Sequence, residues 1–156
     1  MIRILLADDH PVVRDGLAAM LATQPDFDVV GEAGNGAEAV TEAARLRPDV
    51  VLMDLEMPML DGIEAIRRLR AADPAAQVVV LTAFDTDERI VGAIQAGAQG
   101  YLLKGAPRAE IFAAIRTVSA GGALIPLSSP RSCSGRSAPR STRTLSRLVK
   151  ERCWIW

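Results

Sequence analysis

The chain has 156 residues, 49% hydrophobic and 24% charged, which fits one globular domain of ordinary size with a short extension. No apolar run approaches the roughly 18 residues of a bilayer-crossing helix, and Met1-Ile2-Arg3 leads straight into a strand pattern, so neither a membrane span nor a secretory leader is expected. The net charge of −1 hides a division: residues 1–127 hold 11 basic against 18 acidic side chains, whereas residues 128–156 hold 7 against 1.

Short runs rich in Val, Ile and Leu recur at 2–7, 27–33, 49–53, 77–81 and 100–103, with helical spacing between them. The first run ends in Asp8-Asp9. Pro11 then suits the first turn of a helix whose buried stripe is Val12, Val13, Leu17, Met20 and Leu21. After the second run, Asn35 is predicted to cap a helix that buries Ala39, Val40, Ala43 and Leu46 and stops before Pro48. The third run ends on Asp54. Asp61-Gly62 opens the next helix, with Ile63, Ile66 and Leu69 inward and Pro74 closing the region. Thr82 follows the fourth run, and Asp85 or Thr86 caps a helix burying Ile90, Val91 and Ile94, stopped by Gly97. The fifth run leads to Lys104. Pro107 begins the last helix, with Ile111, Phe112, Ile115 and Val118 inward and Gly121-Gly122 as its stop. Met53, Met57 and Met59 are assigned to packing.

Five strands alternating with five helices predict an α/β fold, a doubly wound five-stranded parallel sheet. Unbroken apolar strands suit a sheet covered on both faces. Such sheets bind ligands outside the carboxyl ends of their strands, and four of these strands deliver Asp8-Asp9, Asp54, Thr82 and Lys104 there. Three close carboxylates cannot all ionise cheaply without a cation, and hard oxygen donors with open positions suit Mg²⁺ beside a phosphate. An ammonium and a hydroxyl around one carboxylate can stabilise a transferring phosphoryl group, which makes Asp54 a nucleophile that forms an acyl phosphate. His10, the only histidine, is read as a polar residue at a helix start rather than a ligand.

The segments Leu6-Ala7-Asp8-Asp9-His10-Pro11, Met53-Asp54-Leu55-Glu56-Met57-Pro58-Met59-Leu60-Asp61-Gly62, Leu81-Thr82-Ala83 and Gly100-Tyr101-Leu102-Leu103-Lys104 resemble those of bacterial two-component response regulator receiver domains. Gly34-Asn35-Gly36 and Ser119-Ala120-Gly121-Gly122 are most similar to the NarL/LuxR-type branch. The resemblance covers residues 1–125 and implies a flavodoxin-like receiver fold in a cytoplasmic signalling protein. It implies Asp54 as phosphoacceptor, with Asp8, Asp9, Asp54 and the backbone carbonyl of Glu56 as Mg²⁺ ligands. It further implies Thr82 as the switch hydroxyl, Tyr101 as the switch aromatic and Lys104 as the phosphoryl-sensing cation. The implied partners are a sensor histidine kinase, a second copy on phosphorylation and, in the parent family, DNA.

Two other readings use the same residues. A Mg²⁺-dependent phosphatase of haloacid-dehalogenase type wants a second Asp two residues after its nucleophile, whereas Asp54 is followed by Leu55 and Glu56. It also wants a cap domain, for which there is no chain. A DNA-binding regulator wants a helix-turn-helix of about sixty residues after a linker. Residues 126–156 instead form a basic Ser/Arg-rich tail, expected to be disordered and without an intact DNA-binding domain. Cys133 and Cys153 both lie in that tail, so no disulfide framework is expected in the main domain.

Overall fold

A computed structural model describes residues 1–83 and 87–124. Its elements run β1 (Ile2–Ala7), α1 (Pro11–Leu21), β2 (Phe27–Ala33), α2 (Gly36–Leu46), β3 (Val50–Met53), α3 (Gly62–Ala72), β4 (Val78–Thr82), α4 (Asp87–Ala96), β5 (Gly100–Leu103) and α5 (Arg108–Ser119). The expectations for an Asp85 or Thr86 cap, for the two cysteines and for residues 126–156 lie outside the described residues.

All neighbouring strands pair in parallel, in the order β2-β1-β3-β4-β5. Successive strand residues point to opposite faces, so each apolar run feeds two cores at once. Leu5, Ala7, Val51, Met53, Val78 and Val80 pack with Ala39, Ala43, Ala65, Ile66, Leu69, Ala93 and Ala96 of α2, α3 and α4. Ile4, Leu6, Val50, Leu52, Val79 and Leu81 pack with Leu21 of α1 and Ile111, Ala114, Ile115 and Val118 of α5. Double-sided burial is why the strands read as unbroken apolar runs.

The predicted caps hold where they are described. Asn35 accepts the Glu38 amide and Asp61 accepts the Glu64 amide, each supplying one of the acceptors that a helix start lacks. Gly97 and Gly121 end α4 and α5 with φ of 109° and 84°, a left-handed backbone that glycine adopts without a Cβ penalty.

Three inward assignments are corrected. Val12 is 83% exposed; at about 100° per residue it sits about 180° round α1 from the buried Leu21. Leu17, Ala18 and Met20 supply the rest of that face, packed against the α5-side core. Val91 is 48% exposed because α4 turns Ala93 and Ala96 to the sheet instead, both about 140° or more away from it. Choosing the largest apolar side chains overlooked the alanines that let α4 lie close. Met59, at 87% exposure and φ 68°, packs on nothing, whereas Met53 and Met57 are buried as expected.

Candidate functional site

The strand order reverses between β1 and β3, and there the connections leave on opposite faces of the sheet. Ala7 is paired with Met53, so the next residues, Asp8 and Asp54, stand side by side just past the ladder. The Asp54 amide still donates to Ala7 O at 2.8 Å, and the Asp8 amide to Ala33 O at 3.1 Å. Both carboxylates are buried, at 3% exposure. On the other side, Thr82 is paired with Leu103, and the Lys104 amide donates to Thr82 O at 2.8 Å.

From that position Lys104 reaches back across the sheet edge. Its Nζ lies 2.7 Å from Asp54 Oδ2 and 2.6 Å from Asp8 Oδ2. Burial is the largest single influence on this amine and pushes its pKa down. The hydrogen bonds to Asp54 and Asp8 and the negative charge of both carboxylates together outweigh it and hold the pKa above the usual lysine value. The other oxygens are tied to the backbone: Asp8 Oδ1 accepts the His10 amide at 2.8 Å and Asp54 Oδ1 the Glu56 amide at 3.3 Å.

One ammonium does not balance the cluster. Asp8, Asp9, His10 and Asp54 each offer a ligand atom, and these atoms lie within 4.8 Å of one another. His10 Nδ1 stands 2.7 Å from Asp9 Oδ1, close enough for an ion pair. The contact lacks hydrogen-bond geometry, so Asp9 Oδ1 is buried with no hydrogen-bond partner. Oxygen donors with surplus negative charge are the environment a hard divalent cation takes.

Thr82 is fully buried, and its Oγ1 is the other side-chain atom among the described residues that is buried with no hydrogen-bond partner. An unmet hydroxyl costs about 1–3 kcal/mol, and native folds seldom keep one without a use. Tyr101, on β5, is half-buried and packs against the core that holds Ala93 and Ala96. Glu56 leaves the carboxylates altogether: its side chain is 44% exposed and pairs with Arg89 Nη2 at 3.3 Å. Its amide contact to Asp54 nevertheless draws the loop between β3 and α3 over the site.

The structure therefore brings Asp8, Asp9, Asp54 and Lys104 together, leaves Thr82 a strand away and sets Tyr101 behind it. Sequence reasoning missed two residues. Arg14 donates to Asp8 O at 2.6 Å and pairs with Glu32, so it braces the backbone of the pair. Arg89 lines an open cleft with Asp9, Glu56, Pro58 and Asp61. Arg14 and Arg89 approach only through the fold. His10 stands at the start of α1, as the sequence predicts, and its ring also adjoins the carboxylates.

Residues 4–116 match the response regulator receiver domain. The transcriptional regulatory protein LiaR of Bacillus subtilis (strain 168) is 51% identical over 123 residues, covering 78% of this chain and 57% of that protein. The DNA-binding transcriptional activator DevR/DosR of Mycobacterium tuberculosis is 42% identical over 125 residues, covering 80% and 58% respectively. This chain thus spans little more than half the length of these relatives. Among solved structures, a LuxR-family two-component response regulator from Aurantimonas sp. SI85-9A1 superposes with TM-score 0.76 at 38% identity, covering 79% of this chain and 88% of that one. The receiver domain of NarL from Mycobacterium tuberculosis gives TM-score 0.74 at 35% identity, covering 77% and 97%.

Proposed function

Since this chain belongs to the response regulator receiver domain family, we propose that it accepts a phosphoryl group from a sensor histidine kinase on Asp54. In this reading residues 1–125 are the receiver, and Mg²⁺ is held by Asp8, Asp9, Asp54 and the backbone carbonyl of Glu56. The observation that carries it is the Lys104 ammonium shared between Asp54 and Asp8, which follow strands two and three places away from its own. The family is one of phosphoacceptors rather than turnover enzymes, which leaves the haloacid-dehalogenase reading without support.

The chemistry follows from the residues. An Asp54 oxygen forms a bond to phosphorus while the P–N bond of the donor phosphohistidine breaks, the electron pair leaving with the imidazole. Mg²⁺, when bound, neutralises the oxygens of the phosphoryl group and the surplus charge of the carboxylates. Lys104 exchanges its Asp54 contact for a phosphoryl oxygen. Thr82 Oγ1, which has no partner at rest, donates to another. Drawing Thr82 inward opens space that Tyr101 fills, and the face made by α4, β5 and α5 repacks. That face would present itself to a second copy. The relatives named above are transcriptional regulators, so control of transcription from the cytoplasm is the proposed end of the signal. Among the described residues no helix is long and apolar enough to cross a membrane.

Incubation of the full chain with acetyl phosphate tests this directly. Intact mass should rise by one phosphoryl group when Mg²⁺ is present and stay unchanged when the ion is chelated. No gain under saturating donor and Mg²⁺ would refute the reading. Asp9→Ala should weaken Mg²⁺ binding, read by calorimetry, by at least about tenfold, because a ligand of a doubly charged ion is lost. Unchanged affinity would put the metal elsewhere.

Lys104→Ala separates two roles of the lysine. Without the ion, Asp8 and Asp54 would face each other buried and uncompensated, at a cost of about 3–5 kcal/mol. Added Mg²⁺ should restore the balance, so the divalent ion should raise the melting temperature more in the variant than in the wild type. A smaller rise in the variant would mean that the lysine helps the metal to bind. The phosphorylated variant should also lack the wild type's dimerisation response.

A further inference from the structure

We infer that His10 is a further protein ligand of the metal pocket, through Nδ1, and that it shifts the pocket's preference from Mg²⁺ toward nitrogen-accepting divalent ions such as Co²⁺. The inference rests on the reading of Asp8, Asp9 and Asp54 as a metal pocket.

His10 occupies the cap position of α1, with an extended backbone at φ −95° and ψ 108°. A polar side chain there ordinarily turns back to accept a first-turn amide. His10 makes no such bond. The ring is 66% exposed, so core packing does not set its direction either. It points at the carboxylates nonetheless, with Nδ1 2.7 Å from Asp9 Oδ1 and 3.4 Å from Asp8 Oδ1.

Those two separations match neighbouring ligands of one ion. Donors about 2.1 Å from an octahedral metal stand about 3.0 Å apart when adjacent and about 4.2 Å apart when opposite. The observed pair brackets the first value. The full set, within 4.8 Å, would have to contract by only about half an ångström to meet the second. Asp9 Oδ1, buried without a hydrogen-bond partner, is the oxygen beside the ring and the one that a shared cation would satisfy. Carboxylates alone favour hard Mg²⁺, whereas a neutral imidazole adds affinity along the series toward Co²⁺ and Ni²⁺.

The test uses the full, tag-free chain in a Cys133→Ser, Cys153→Ser background, so that no thiol competes for the ion. Calorimetric titration with MgCl₂ and separately with CoCl₂ compares His10→Ala with its parent. The expected result is a Co²⁺ affinity at least about tenfold weaker and a Mg²⁺ affinity changed by less than about threefold. Pulsed EPR of the Mn²⁺-loaded parent should show nitrogen modulation that His10→Ala abolishes. Equal losses for both ions, no loss for Co²⁺, or no nitrogen modulation would overturn the ligand role while leaving the carboxylate pocket intact. If the parent binds neither ion, the pocket itself fails, and the inference with it.

Discussion

Asp54→Asn is expected to abolish phosphoryl acceptance, with labelling by acetyl phosphate and Mg²⁺ falling at least about a hundredfold. The amide keeps the size and planarity of the carboxylate, and its one oxygen can still accept from Lys104 Nζ as Asp54 Oδ2 does now, while the weaker 3.3 Å contact of the Glu56 amide to Oδ1 is given up. What it lacks is an anionic oxygen able to displace the donor's leaving group. Folding should not suffer: the substitution removes one of three neighbouring negative charges, and the metal-free variant should melt at or above the wild-type temperature. The pairing of intact stability with lost labelling is the diagnostic. Asp8 and Asp9 stand in the same cluster and would be the acceptors if the variant were labelled as fully as the wild type.

The site was readable before the fold because topology alone gathers its members. Any parallel sheet with this alternation brings the ends of its strands to one edge, so Asp8, Asp54, Thr82 and Lys104 needed only the strand boundaries to be assembled. Those boundaries carried little error, since each apolar run stops where a charged or hydroxyl residue begins. The starts of β3 and β4 were each placed one residue early. Asp49 and Gln77 hydrogen-bond to the neighbouring strand through backbone groups without joining the ladder. Helix faces were less legible. Val12 and Val91 were chosen for hydrophobicity, but the angle round the helix decides burial, and in α4 alanines set that angle. The least legible features were rotamers. Nothing in the order of residues says that Arg14 turns to the Asp8 carbonyl, that Arg89 turns to Glu56, or that His10 gives up its cap for the carboxylates.

Gly62→Ala should be the most damaging small substitution outside the charged cluster. A Cβ at this position would stand 2.1 Å from Asp54 O, 2.7 Å from Leu55 Cα and 3.0 Å from Asp54 C. All three are backbone atoms, so no side-chain rotation relieves the overlap. Gly62 is also the first residue of α3, and its amide donates to Leu55 O at 3.0 Å, which clamps the helix start onto the chain leaving β3. The helix must either lift away or push the Asp54 peptide aside. The expected cost is about 3 kcal/mol, at the high end for added core volume, with a fall of about 10 °C in melting temperature. Because the displaced peptide carries Asp54, Mg²⁺ affinity should fall as well, although no ligand atom has been removed. Gly16→Ala supplies the control. It lies inside α1 with nothing within 4 Å of its would-be Cβ, so the same chemical change there should stabilise by about 0.5–1 kcal/mol through better helix propensity. Opposite signs for one substitution at two glycines would trace the effect to the Asp54 carbonyl. Should Gly62→Ala melt with the wild type and bind Mg²⁺ as tightly, the loop between β3 and α3 must yield freely, and Asp54 would not be held rigidly for transfer.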